Sequence, residues 1–99
     1  MEEKNFSERV TKTNEMSAAD LKVRNHSDID FVRSPKTGKI FFVCGSTKGY
    51  VSKAAQKSLE EGSLTLEKLR YCDMSIDGKP AVPCLMMVGN SKQNVLKTL

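Results

Sequence analysis

The chain has no Trp, one His, three Pro and three Cys among its 99 residues, and each scarcity excludes something. Cys44, Cys72 and Cys84 are separated by 27 and 11 residues, without a C-x-x-C pair. A structural zinc site draws on four N or S ligands, usually in close pairs, so these thiols and His26 do not compose one. No metal and no cofactor is expected. Each Cys lies in an apolar stretch, where a free thiol behaves as a small hydrophobe. Their odd number argues for reduced thiols, although Cys72 and Cys84 would face each other across a three-residue turn, close enough for a disulfide. No apolar run approaches the roughly 18–20 residues of a membrane helix, and the start at Met1 lacks the apolar stretch of a secretory signal. The expectation is a cytoplasmic protein with no membrane partner.

Catalytic constellations are equally sparse. Nucleophilic catalysis needs an activated nucleophile, a base in reach and an oxyanion site. Cys44, just before Gly45, with His26 as base is the only candidate, and His26 between Asn25 and Ser27 reads more simply as a solvated turn residue. Asp28 with Asp30, and Asp73 with Asp77, read as polar positions at strand ends. The chain is therefore expected not to be an enzyme. Gly45, Ser46, Thr47, Lys48 and Gly49 do not end in G-K-[ST], so nucleotide hydrolysis is not implied. The segment still offers backbone N–H groups, two hydroxyls and a Lys ahead of a helix, the ingredients of an anion-binding loop. Its plainer reading is an ordinary polar connection.

What the chain does have is a charge asymmetry. Residues 1–20 carry three bases and five acids, residues 21–57 eight bases and two acids, and residues 58–99 five of each. All of the +4 excess thus comes from the middle third. Charge blocks of this kind bear on partners and not on fold.

The first 18 residues, with few large apolar side chains and no strand period, read as a flexible tail, followed by a single α+β domain over 19–99. Leu21 to Arg24 and Ile29 to Arg33 alternate, Ser34-Pro35-Lys36-Thr37-Gly38-Lys39 is turn chemistry, and Ile40 to Cys44 is a buried-strand run. Together they predict a hairpin. Tyr50, Val51, Ala54, Ala55 and Leu59 recur at helical spacing, with Ser52 to cap and Gly62 to terminate, which predicts a helix at about 52–61. Residues 63–69 read equally as a strand or a helical turn. Tyr71 to Ile76 and Val82 to Val88 flank Asp77-Gly78 as a second hairpin. Pro80 and Pro83 place its second strand at an edge or a bulge. Ser91 would cap a C-terminal helix holding Val95, Leu96 and Leu99. The fold class is α+β: two antiparallel hairpins in a small sheet, one helix between them and one after.

The basic block interleaves Arg33, Lys36, Lys39, Lys48, Lys53 and Lys57 with Phe31, Phe41, Phe42 and Tyr50. A sheet with basic rims and exposed rings tracks phosphates while bases stack. The primary expectation is an accessory protein that binds single-stranded or structured nucleic acid through those six cations and Tyr50 or Phe41. The alternative is a homodimeric or protein-interaction domain that uses the apolar 82–88 strand, where Met86→Lys or Met87→Lys would abolish association.

Overall fold

The computed structural model describes residues 9–89 and folds them as a six-stranded mixed sheet with two helices, an α+β architecture. The elements are β1 (Val10–Ser17), α1 (Ala18–Asn25), β2 (Asp30–Arg33), β3 (Ile40–Cys44), β4 (Thr47–Val51), α2 (Lys53–Glu61), a 3₁₀ turn (Leu66–Lys68), β5 (Leu69–Ile76) and β6 (Val82–Met87). Strands lie in the order β1-β5-β6-β4-β3-β2. Every neighbouring pair is antiparallel except β4 with β6, which run parallel through Tyr50↔Cys84 and Val51↔Leu85.

Three segments match the sequence expectation closely. The β2–β3 hairpin pairs Phe31 with Phe42 and Arg33 with Ile40, closed by a turn in which Ser34 N–H donates to Lys39 O at 2.8 Å. Helix α2 starts after Ser52, whose hydroxyl accepts from Ala55 N–H, and ends at Gly62 in the left-handed region with φ +76°. The β5–β6 hairpin sets Cys72 directly opposite Cys84.

Four segments differ, each for a physical reason. The expected tail is, from Val10 onward, an edge strand paired to β5, bulged between Thr13 and Met16. Its residues are polar on both faces and mostly exposed, so it carries no alternation to read. Leu21 to Arg24 is helix and not strand. Ser17 accepts from Asp20 N–H at 3.1 Å, His26 closes the end at φ +51°, and Ala18 and Leu21 alone are buried. Val23, which the alternation would place inside, is 72% exposed. Tyr50 and Val51 belong to β4, because Gly45-Ser46 is a two-residue hairpin turn with Gly45 at φ +61°. Glycine at the first turn position is the usual requirement of that geometry. Finally, β6 is an interior strand. Pro83 precedes Cys84 and Leu85, the two residues that pair with β4. A Cβ on Gly49 would collide with the Pro83 carbonyl, so only glycine admits β6 at this distance. The expected C-terminal helix lies outside the described residues.

Packing separates the two faces of the sheet. Ala18 and Leu21 of α1 and Ala55 of α2 join Ile40, Phe42, Cys44, Val51, Leu69, Tyr71 and Leu85 in one buried cluster. Phe42 meets Tyr71 edge-on, with centroids 6.2 Å apart and planes at 85°. The other cluster is smaller and drawn only from strands: Cys72, Met74, Cys84 and Met86, with Tyr50 and Ile76 packed against it. Because side chains alternate along each strand, the helices and this sulfur-rich cluster occupy opposite faces.

Candidate functional site

Cross-strand register builds one continuous row on the face opposite the helices. Val32 pairs with Phe41, Phe41 with Tyr50, Tyr50 with Cys84, and Cys84 with Cys72. The inner end of that row is buried, and the outer end is not. Val32 is 41% exposed, while Phe41 and Tyr50 are half-buried. Lys48 stands two residues from Tyr50 on the same face, its Nζ 5.0 Å from the centroid of the Phe41 ring. At an exposed site such a cation–π contact is worth about 0.5–1 kcal/mol, which positions the ammonium without sequestering it. Lys12 and Arg70 share this face further along the sheet, since they pair with Met74 and Met86. Arg70 Nε lies 3.8 Å from Glu15, a loose exposed contact.

The cations singled out in the sequence do not gather into one patch. Arg33 pairs with Ile40 and so faces the helices. It donates to Gly38 O at 2.6 Å and to Glu60 Oε2 of α2 at 3.2 Å. Lys53 and Lys57 are exposed on α2, also on the helix side. Lys36 and Lys39 sit in the β2–β3 turn at one end of the sheet. Lys48 shares the face of Phe41 and Tyr50, whereas Arg33, Lys53 and Lys57 do not. Lys12 and Arg70 were missed. Arg70 alternates with Cys72 and was legible, whereas Lys12 falls in the segment that reads as a tail.

The expected anion-binding loop is not a loop. Gly45 and Ser46 form the tight turn, while Thr47, Lys48 and Gly49 are committed to β4. Thr47 Oγ1 donates to Asn25 Oδ1 at 3.0 Å, which ties the turn to the end of α1. In the first turn of α2 the buried Ser52 hydroxyl accepts from the Ala55 N–H at 3.2 Å.

Cys44 is fully buried, and its thiol donates to Ser27 O at 3.3 Å. Burial raises its pKa, with Asp28 adding to the effect, so the sulfur is held protonated rather than activated. His26 is exposed and caps α1. Among the described residues no group of three or more His, Cys, Asp or Glu side chains converges for a metal ion. Nor is any described helix long and apolar enough to cross a membrane.

Two further features bear on partners. In the 82–88 segment Leu85 is buried under the helices and Cys84 and Met86 on the opposite face, while Val82 and Met87 are half-buried and Val88 is 57% exposed. A groove of about 530 Å³ opens on the helix side, floored by Ile29, Phe31, Leu59 and Leu64, with the Lys22–Asp28 ion pair (3.0 Å) at its rim. It is assembled from three separated segments, so no local motif announces it. No protein-family model, no curated protein and no solved structure matches the chain.

Proposed function

We propose that the sheet face carrying Phe41, Tyr50 and Lys48 binds single-stranded nucleic acid without sequence preference. What supports this reading is one juxtaposition: two rings paired across β3 and β4, neither of them buried, with an ammonium 5.0 Å above one of them. Rings on a sheet accept any base by stacking, at about 1–3 kcal/mol per base, and a neighbouring cation meets the phosphate between bases. Lys12 and Arg70 extend the positive rim. With neighbouring strands roughly 4.8 Å apart, β1 lies about 14 Å from β4 across the sheet, a span of a few nucleotides.

The test is fluorescence anisotropy of a labelled oligothymidylate titrated with the full chain at several salt concentrations. Two or three phosphate contacts on a single strand give a log–log salt slope of roughly −1.4 to −2.1. Removing Lys48 should reduce the slope by about 0.7, and removing Lys53 or Lys57 should leave it unchanged. No anisotropy change at low salt would refute the reading. Native mass spectrometry of the same samples identifies the competing outcome, in which the Val32–Phe41 end of the row seats a second copy of the chain.

A further inference from the structure

The sulfur-rich cluster holds a pair of groups that nucleic-acid binding does not use. Cys72 and Cys84 are direct partners in the β5–β6 ladder, with their sulfurs 3.7 Å apart. Both are free thiols, 2% and 0% exposed. Directly opposed residues of an antiparallel pair have Cα atoms about 4.5 or 5.5 Å apart, both within the span of a disulfide. The backbone is therefore already in place. A disulfide holds its sulfurs at about 2.05 Å, so closure needs the two sulfurs to approach by only about 1.7 Å. Cys44 cannot compete, since it belongs to the other buried cluster and its thiol is engaged with Ser27 O.

We propose that Cys72 and Cys84 form a reversible redox pair, a dithiol as described here, which a hydroperoxide closes to a cross-strand disulfide. The Cys72 sulfur attacks one peroxide oxygen, the O–O bond breaks, and hydrogen peroxide leaves one water and a Cys72 sulfenic acid. The Cys84 sulfur then attacks the Cys72 sulfur. The S–OH bond breaks and the departing hydroxide takes the Cys84 proton as a second water. Two thiols and one peroxide become one disulfide and two waters. Either thiol can donate in the 3.7 Å contact between them, and Cys72 also donates to Met86 Sδ at 3.7 Å, so the same balance holds with the two roles exchanged. Burial selects the oxidant class, because a water-sized peroxide reaches sites that a glutathione-sized disulfide cannot enter without opening the hairpin.

The experiment treats the folded full chain with hydrogen peroxide, quenches it, and alkylates it under denaturing conditions before mass spectrometry. The expected product has lost about 2 Da, takes up alkylating agent at Cys44 only, and yields a Cys72–Cys84 linked peptide. Dithiothreitol restores all three alkylations, and the oxidised form melts several degrees higher than the reduced one. Cys72→Ser and Cys84→Ser each abolish the mass loss, and if either variant fails to fold, the wild-type peptide map decides alone. Uptake at all three cysteines after peroxide, a gain of about 32 or 48 Da on one of them, or a link that includes Cys44 would each overturn the proposal.

Discussion

Phe41 and Phe42 are adjacent in β3, yet one is fully buried against Tyr71 beneath the helices and the other is half-buried beside Lys48. The two faces of the sheet also differ in what fills them. On the helix side, two helices and the inward half of each strand close a core of large aliphatic and aromatic groups. On the opposite side, four sulfur-bearing residues make a thin cluster whose outer end fades into rings and cations. Alternation gives neighbouring residues of β3 opposite fates, whereas in β6 Cys84, Leu85 and Met86 are buried in succession on both faces. The larger buried cluster lies on the first face and the smaller on the second.

The largest expected effect compares the two rings. Phe42→Ala should cost about 3–5 kcal/mol in urea unfolding, because it empties a filled site that cannot collapse between sheet and helices. Phe41→Ala removes a ring that keeps part of its surface in solvent, and should cost less, about 1–2 kcal/mol by the area it buries. Equal costs would erase the distinction between the faces. Next is Gly49→Ala, where the added methyl meets the Pro83 backbone, which has no room to yield. About 1–3 kcal/mol of destabilisation is expected, with the β4–β6 junction losing hydrogen-exchange protection first.

Alkaline pH probes the helix-side face through Cys44. Burial raises its folded pKa above the ordinary thiol value of 9.0. The stability it contributes is complete below that value and is lost as pH rises toward the folded pKa, because the unfolded thiol releases its proton first. Tyr71, raised by burial and by its hydrogen bond to Asp73, adds a loss of the same sign at higher pH. Urea midpoints should therefore fall above about pH 9, less steeply in Cys44→Ala than in the wild type. Smallest of all is Arg33→Ala. Its ion pair with Glu60 leaves both side chains 55% exposed, so the loss should stay within about 1 kcal/mol, and oligonucleotide affinity should not change. A large affinity loss would return Arg33 to the binding face.

How much of this was legible follows from where the signals lie. The β2–β3 and β5–β6 hairpins could be read because their turns and alternation are local, and α2 because Ser52 and Gly62 mark its ends. Helix α1 was hidden by a four-residue alternation that its own Ser17–Asp20 cap contradicts. Strand β1 was hidden because a polar edge strand looks like a tail, and its pairing partner lies some sixty residues away in the chain. The parallel β4–β6 contact has no local signature at all, since it depends on a missing side chain at Gly49. At the candidate site the rings were found and half of the geometry was not. Arg33 and Lys48 look alike in a charge count, but their parity along the strands sends them to opposite faces.

The most direct test of the central claim is the dissociation constant of a labelled oligothymidylate for the wild type and for the Phe41→Ala/Tyr50→Ala variant, measured at one low salt concentration. Loss of one stacking platform weakens binding by about 1–3 kcal/mol, roughly five- to 150-fold, so the paired variant should fall at least that far while its circular dichroism spectrum stays unchanged. An affinity equal to that of the wild type would show that these rings do not meet bases, and would contradict the assignment of this face.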